Sequence, residues 1–250
     1  MHASRQHQVI VAIPTYNTGP KVLPVAREVL AAGHRVIIVL DGSNDGTAAL
    51  LEPLRTEFPE LEILTHEQNR GKGAAVLTAG CRALDLGATH LLTFDADGQH
   101  PADSIPEFIR RSAAAPDAMV LGAPLFGPEA PWERVAGRRV GNWWTNFLSV
   151  RGGMTDSLFG MRLYPLAPLV AVLSESRLGH RYDLECVAAV KLRWLGTPVI
   201  NLPTPVKYFT KAEGGVSHYR YLRDNVRMAK TYMCLMVKSL RHRLSGKGGA

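Results

Sequence analysis

The sequence predicts an α/β fold with a mostly parallel central sheet flanked by helices. Short apolar runs alternate with segments of helical periodicity along the first half of the chain, which is the pattern of a doubly wound parallel sheet. The runs are continuous rather than alternating, as expected for strands that helices cover on both faces. With 250 residues, 46% of them hydrophobic, the chain is long enough to bury a large core.

Taken in order, the first half of the chain contains five apolar runs that we predict as strands. They lie at residues 9–13, 35–40, 61–65, 89–94 and 118–122. The first helix is expected to begin near Pro20 or Pro24 and to end at Gly33. Further helices are predicted at residues 47–58, 73–86 and 103–114.

After Gly122 the alternation is looser, and prolines and glycines indicate a loop. We predict helices at residues 132–150, 166–174, 183–195 and 218–244 and strands at residues 155–163, 199–202 and 206–209. The last helix is amphipathic and rich in lysine and arginine. We therefore expect a main domain at residues 1–215, followed by a basic amphipathic helix and a flexible tail at residues 216–250.

Composition limits the classes of function. The formal net charge is +7, which suits phosphates, anionic lipid or nucleic acid as partners without separating them. Cys81, Cys186 and Cys234 lie far apart in the sequence, and we expect reduced core thiols in a cytosolic protein. The sequence shows neither a signal peptide nor an apolar stretch long enough to span a membrane.

The segment Asp95-Ala96-Asp97-Gly98-Gln99-His100 follows the fourth predicted strand. Two carboxylates one residue apart would then lie at the carboxyl edge of the sheet, where open α/β sheets bind ligands. Such a pair suits Mg²⁺ or Mn²⁺, because these ions take a few protein oxygens and leave positions for substrate phosphates. The alternative is a strand that ends in an ordinary Asp-Gly turn.

Two other loops should lie at the same edge. They are Pro14-Thr15-Tyr16-Asn17 and Asp41-Gly42-Ser43-Asn44-Asp45-Gly46-Thr47. Asp41 could accept hydrogen bonds from a nucleobase or a ribose, although these residue types also occur in turns without any ligand.

A glycine-rich entry to a helix, Asn69-Arg70-Gly71-Lys72-Gly73, carries a lysine. Its backbone N–H groups and Lys72 could hold a pyrophosphate. The spacing matches neither a Walker A loop nor a dinucleotide-binding fingerprint. A capped helix start with an exposed lysine remains the alternative.

Together these four segments resemble the nucleotide-sugar half of the family 2 glycosyltransferases, which have the GT-A fold. The resemblance rests on the order and spacing of the segments. Within the family, the sequence is most similar to the polyprenyl-phosphate sugar synthases, such as the dolichyl-phosphate mannose synthases. The resemblance covers most of residues 9–205 and is strongest before Pro106.

The resemblance implies roles on the donor side. It assigns the divalent metal to Asp95, Asp97 and Gln99 and makes Asp97 a catalytic residue. It assigns donor binding to the following residues: Pro14, Tyr16, Asn17, Asp41, Ser43, Asp45, Lys72 and Asp95.

On the acceptor side, residues 155–162 resemble a family segment with a Thr-Asp pair and a later Gly-aromatic-Arg, although Met161 replaces the aromatic residue. This implies roles for Asp156 and Arg162; the alternative is a plain strand with an Asp–Arg pair. Asp183 and Glu185 resemble an acidic helix start beside the acceptor, where either could be a general base. They could equally compensate the helix dipole.

A lipid phosphate acceptor is already anionic and needs no base. Arg138 and Arg139 would then steer it. The segment 211–220 resembles a family loop that closes over the donor, with His218 near the metal or diphosphate; an exposed loop histidine is the alternative.

The sequence therefore predicts a metal-dependent, inverting glycosyltransferase with a nucleoside-diphosphate sugar, UDP- or GDP-linked, as donor. We expect a lipid-type acceptor such as polyprenyl phosphate, and a cytoplasmic enzyme that contacts the inner membrane face or a membrane partner. The basic last helix is a candidate to lie on anionic membrane, and the alternative is that it packs on the domain or on another subunit. A nucleotidyltransferase is one alternative. A non-catalytic scaffold or nucleic-acid-binding protein is another, but no nucleic-acid-binding motif supports nucleic acid as a partner.

Overall fold

The computed structural model describes residues 6–126, 132–175, 178–206 and 221–244, with the side chains of residues 132–136, 221–225 and 243 left out. Its centre is one seven-stranded sheet. The strands are β1 (Val9–Thr15), β2 (Val36–Asp41), β3 (Glu62–His66), β4 (His90–Thr93), β5 (Met119–Leu125), β6 (Arg162–Pro165) and β7 (Val199–Pro205).

Eight α-helices connect and cover the described strands. They are α1 (Val22–Ala31), α2 (Thr47–Glu57), α3 (Lys72–Asp85), α4 (Ile105–Ala114), α5 (Trp132–Leu148), α6 (Leu166–Ser174), α7 (Leu184–Trp194) and α8 (Tyr221–Leu244). Short 3₁₀ turns precede α1 and α4. The predicted mostly parallel α/β fold is confirmed.

The strand order is β3-β2-β1-β4-β6-β5-β7. Strand β1 is parallel to β2 and β4, β2 is parallel to β3, and β5 is parallel to β7. The carboxyl ends of β1, β2 and β4 therefore meet at one edge of the sheet, which we call the site rim. Asp41 and His66 are Cα partners where β2 and β3 reach this rim.

Strand β6 is antiparallel to both of its neighbours, β4 and β5. Its first residue, rather than its last, consequently lies at the site rim. The predicted strand at residues 155–163 is wrong over most of its length, because regular structure begins only at Arg162. The Asp156 carboxylate accepts the N–H groups of Leu158 and Phe159 at 2.9 and 2.7 Å, which turns the chain here instead of extending it.

Core residues lie on both faces of the sheet. One cluster joins the sheet to α1, α2 and α4 and includes Val22, Leu51 and Phe108. The other joins it to α3, α6 and α7 and includes Ala79 and Leu169. Burial on both faces explains why the strands contain continuous apolar runs.

A third cluster packs α5, α7 and α8 together through Leu148, Val187, Val190 and Leu235. The predicted domain boundary between residues 215 and 216 stays a prediction, since residues 207–220 lie outside the described ranges. The predicted strand at residues 206–209 falls largely there as well, and Val206 itself follows the end of β7.

The cysteine expectation is partly wrong. Cys186 is buried, but Cys81 and Cys234 are exposed, and all three are free thiols. Burial raises the pKa of the Cys186 thiol to about 12. Among the described helices, none combines the length and the apolar character needed to cross a bilayer.

Candidate functional site

Lys72, the first residue of α3, bridges two carboxylates at the site rim. Its Nζ lies 2.6 Å from Asp95 Oδ1 and 2.5 Å from Glu185 Oε1. Asp95 follows β4, and Glu185 lies in the first turn of α7. The structure thus joins three residues from distant parts of the sequence, all of them predicted to be site residues.

The charges in this cluster influence one another. Burial alone would raise the Asp95 pKa, but the adjacent Lys72 charge and the His100 hydrogen bond lower it well below its usual range. Burial and the neighbouring Asp95 charge raise the pKa of Asp97. The Lys72 pKa is raised, because its two carboxylate partners outweigh the opposing effect of burial. Lys72 is therefore a fixed positive charge at the N-terminus of a helix, a position that favours anions.

His100 completes the environment of Asp95. Its Nε2 lies 3.3 Å from Asp95 Oδ2, and its ring packs edge-on against Phe94 and Phe159. His100 Nδ1 is buried and has no hydrogen-bond partner within the described ranges. The ring therefore holds the Asp95 carboxylate from the side opposite Lys72.

The donor chemistry of the rim fits a divalent cation. Asp95, Asp97 and Gln99 are all partly exposed there, and Gln99 N donates to Asp97 Oδ1 at 2.9 Å. No three His, Cys, Asp or Glu side chains converge within the described part of the chain. Two carboxylates suffice for Mg²⁺ or Mn²⁺ when substrate phosphates supply the remaining oxygens. The mutual repulsion of Asp95 and Asp97 is the kind of arrangement that a bound cation relieves.

Asp41 is buried beneath the rim and accepts three hydrogen bonds. His66 Nδ1 and the Arg70 N–H contact Oδ1 at 2.7 and 2.9 Å, and the Gly71 N–H contacts Oδ2 at 2.7 Å. His66 Nε2 in turn contacts Thr78 Oγ1 at 2.9 Å. Asp41 therefore fixes the loop that leads into Lys72. Its predicted contact with a base or ribose stays a prediction.

The loops after β1 and β2 are cross-linked. Asn17 N donates to Ser43 Oγ at 3.1 Å, and Asn44 N donates to Asn17 Oδ1 at 2.9 Å. Asp45 Oδ2 accepts from Gly19 N at 2.8 Å, and hydrogen bonds from Thr47 together with that from Gly19 lower the Asp45 pKa against the opposing effect of burial. These contacts are those of the ligand-free turns that the sequence allowed as an alternative. Donor binding by Asn17, Ser43 and Asp45 stays a prediction.

Two further predicted donor residues lie beside these loops. Pro14 is inside β1, opposite Val39, and not in the loop that follows. Tyr16 is partly exposed at the end of the same strand. Both lie at the site rim as predicted.

On the acceptor side, Asp156 pairs with Arg138 of α5. Arg138 Nη1 lies 2.8 and 2.7 Å from the two carboxylate oxygens of Asp156, which is buried. Arg138 also lies over the Phe126 ring, 5.6 Å from its centroid. Arg139 is exposed on the same helix. The Asp–Arg pair expected from the sequence exists, but with Arg138 in the place of Arg162.

Arg162 is fully buried and donates to three backbone carbonyls. Its partners are Phe159 O at 2.7 Å, Glu185 O at 2.8 Å and Asp156 O at 3.3 Å. Arg162 thus ties the acceptor-side segment to α7, whereas the sequence predicts that it binds substrate. That predicted role stays a prediction.

Asp183 precedes α7 and faces α8. Its Oδ2 accepts from Gly179 N at 3.0 Å and from Thr231 Oγ1 at 2.9 Å. Beside it lies a cavity of about 700 Å³ between the Asn69–Arg70 loop and α8. The basic side chains of this cavity come from Arg70, His180, Arg181, Arg227 and Lys230. Such a lining suits an anionic group.

Sequence reasoning assigned no role in the site to three residues that shape it: His66, His100 as a partner of Asp95, and Gly160. A Cβ on Gly160 would overlap the Asp95 carboxylate and crowd Lys72 Nζ. The role of His66 depends on the register that makes it the partner of Asp41, and the sequence alone does not give that register. Gly160 is the glycine of the Gly-aromatic-Arg resemblance, but its contact with Asp95 depends on the antiparallel return of β6.

Comparison with known proteins identifies the family. The sequence profile described as glycosyl transferase family 2 matches residues 10–164. A UDP-N-acetylglucosamine–dolichyl-phosphate N-acetylglucosaminyltransferase from Methanococcus voltae is 29% identical over 82% of this chain and 89% of its own. A polyprenol monophosphomannose synthase from Mycolicibacterium smegmatis is 29% identical over 84% of this chain and 80% of its own.

Solved structures show the same fold. A mannosyltransferase from Pyrobaculum calidifontis, in complex with GDP-Man and Mn²⁺, superposes with a TM-score of 0.63 at 19% identity, covering 94% of this chain and 64% of that chain. A glucosyl-3-phosphoglycerate synthase from Mycobacterium tuberculosis, with Mn²⁺ and UDP-glucose, gives 0.59 at 12% identity, over 94% of this chain and 80% of that one. The profile match spans more than half of the sequence, and the chain belongs to glycosyl transferase family 2 and is a glycosyltransferase.

Proposed function

We propose that this glycosyltransferase moves a sugar from a nucleoside-diphosphate sugar to a polyprenyl-type lipid phosphate, with inversion at the anomeric carbon and with a divalent metal. The observation that carries the proposal is the Lys72 ammonium held between Asp95 and Glu185, with Asp97 beside them. Two relatives whose names specify dolichyl phosphate or polyprenol support the acceptor class. UDP and GDP sugars both remain candidate donors.

In the proposed reaction, an acceptor phosphate oxygen attacks the anomeric carbon as the bond from that carbon to the diphosphate breaks. The products are the glycosyl lipid phosphate and the nucleoside diphosphate. Asp95, Asp97 and Gln99 would hold the metal, which supplies Lewis-acid stabilisation of the leaving diphosphate. Lys72 adds a fixed positive charge on the same side.

The acceptor side also suits an anionic nucleophile. Asp156 holds Arg138 in place, and Arg139 is exposed on the same helix; the proposal assigns both guanidinium groups to steering the acceptor phosphate. Lys72 binds the Glu185 carboxylate, and in the proposed reaction Glu185 positions Lys72 and does not act as a base. Since a lipid phosphate is already ionised, the proposed reaction needs no base. We place the enzyme at the cytoplasmic membrane face as a peripheral protein.

The first experiment tests the donor and the metal. The purified protein is incubated with Mn²⁺ or Mg²⁺, a panel of UDP and GDP sugars and a short polyprenyl phosphate, and release of nucleoside diphosphate is measured. We expect one donor to be used, and EDTA or Asp97→Asn to lower the rate by at least roughly a hundredfold. Full activity in EDTA would refute the metal role. Release of pyrophosphate would indicate nucleotidyl transfer instead.

A second experiment tests the acceptor and the stereochemistry. The same polyprenol is offered with and without its phosphate, and the anomeric configuration of the product is read by NMR. We expect transfer only to the phosphate, with a configuration opposite to that of the donor. Transfer to the free alcohol would favour a hydroxyl acceptor, with Asp183 or Glu185 as its base.

A further inference from the structure

Helices α5 and α8 expose an unusual number of large apolar side chains. Trp143 is 60% exposed and Met233 is 60% exposed. With their exposed neighbours at helical spacing they form what we call the α5–α8 face: Val140, Trp143, Phe147, Met233, Val237 and Leu240. A concentration of large exposed apolar side chains on two neighbouring helices is typical of an interaction site.

Aromatic contacts make the two helices one surface. The rings of Trp143 and Phe147 stack with centroids 5.7 Å apart and planes 8° apart. Trp144 contacts both of them edge-on and stacks on Tyr232 of α8 with centroids 6.4 Å apart. The aromatic cluster therefore continues from the exposed side of α5 across the helix–helix contact.

Basic residues predominate around this face, although the α8 sequence includes one acidic residue, Asp224. Lys230, Lys238 and Arg241 are exposed on α8 beside the apolar stripe. From residue 225 to residue 250 the sequence contains no Asp or Glu, and Glu133 is the only acidic residue in α5. An apolar stripe with a basic edge and exposed tryptophan is complementary to an anionic lipid surface. Two copies of the face, in contrast, would bring their basic edges together.

Both helices also contact the candidate site. Arg138 of α5 holds Asp156, and Thr231 of α8 donates to Asp183. We propose that the α5–α8 face docks the enzyme on an anionic lipid bilayer, with α8 lying in the interface rather than crossing it. This docking proposal rests on the proposed function, because it takes the acceptor to be a lipid. It adds the surface that brings the site to that lipid.

The test is sedimentation of the full chain with vesicles that contain neither acceptor nor donor. Vesicles of equal parts phosphatidylcholine and phosphatidylglycerol are compared with vesicles of phosphatidylcholine alone. We expect binding to the anionic vesicles, and the double variant Trp143→Ser, Met233→Ser should lower the partition coefficient by at least roughly tenfold. The matched control is Leu50→Ser on α2, where the side chain is 37% exposed, and it should bind like the unaltered chain.

A second pair of variants tests the charge. Lys238→Gln with Arg241→Gln should weaken binding to anionic vesicles, whereas Arg27→Gln with Arg55→Gln, on α1 and α2, should not. Equal melting temperatures would show that the exposed substitutions leave the fold intact.

Three results would overturn the proposal: no binding of the unaltered chain to anionic vesicles, unchanged binding of both α5–α8 variants, or a lipid-free dimer that the same variants dissociate. Nucleoside diphosphate release in detergent is measured separately. Failure of docking and failure of the proposed function are therefore distinguishable.

Discussion

At the residue scale, the ammonium group of Lys72 links the segment after β4 to the start of α7. Two glycines allow the surrounding loops to approach. A Cβ on Gly42, whose φ is +72°, would collide with the backbone at Gln68 and Asn69, and Gly160 leaves room for the Asp95 carboxylate. The sequence predicted the charged residues, because their types suggest chemistry, whereas the glycines depend on contacts that no local pattern encodes.

Substitution of Gly160 should therefore impair the site more than the fold. Gly160→Ala places a methyl group against Asp95 and Lys72, so we expect at least roughly a tenfold loss of transfer rate and an overpacking cost of about 1–3 kcal/mol. The measurements are steady-state kinetics and urea unfolding. Gly137→Ala is the control, since a Cβ there meets nothing within 4 Å in the middle of α5, and it should retain full activity. An active Gly160→Ala protein would contradict the geometry.

Asp41→Ala should destabilise the fold even without substrate. It leaves the Arg70 and Gly71 N–H groups and the His66 ring without their acceptor, and each buried unsatisfied group costs about 1–3 kcal/mol. Urea unfolding without ligand measures the loss. Unchanged stability combined with lost nucleotide binding would instead make Asp41 a donor contact only.

At the scale of elements, continuous apolar runs predicted most strands closely, because both faces of the sheet are buried. Apolar residues at helical spacing predicted most helices, because one face of each helix packs on the sheet or on another helix. The segment before β6 was predicted wrongly for a physical reason. Its apolar residues are compatible with a strand, but the Asp156 carboxylate binds the N–H groups of Leu158 and Phe159 that a strand would use in pairing. His66 shows a second limit of prediction from sequence, because its role depends on the register between neighbouring strands.

Helix α8 provides an element-scale prediction. Leu235 is fully buried against α5 and α7, while Leu240 on the same helix is 53% exposed. Leu235→Ala should cost about 2–5 kcal/mol, and Leu240→Ala should change stability by no more than about 0.5 kcal/mol. Thermal and urea unfolding report both values. Equal stability of the two variants would favour the separate domain at residues 216–250 that the sequence suggests.

For the whole molecule, the order of apolar runs was enough to predict an α/β sheet with a ligand edge, and the segments after β1, β2 and β4 do meet there. The direction of β6 could not be predicted, because alternation of strands and helices carries no information on strand polarity once the connections are irregular. The acceptor half of the site depends on that direction.

The position of β6 has a consequence for synthesis of the protein. Strand β5 pairs with β6 and β7, while β1 to β4 pair among themselves and with β6. A nascent chain that has emerged only as far as β5 lacks the strand that joins the two parts of the sheet. Because Gly160 and Arg162 arrive with that strand, the close approach of Gly160 to Asp95 and Lys72 cannot form before the ribosome has delivered β6.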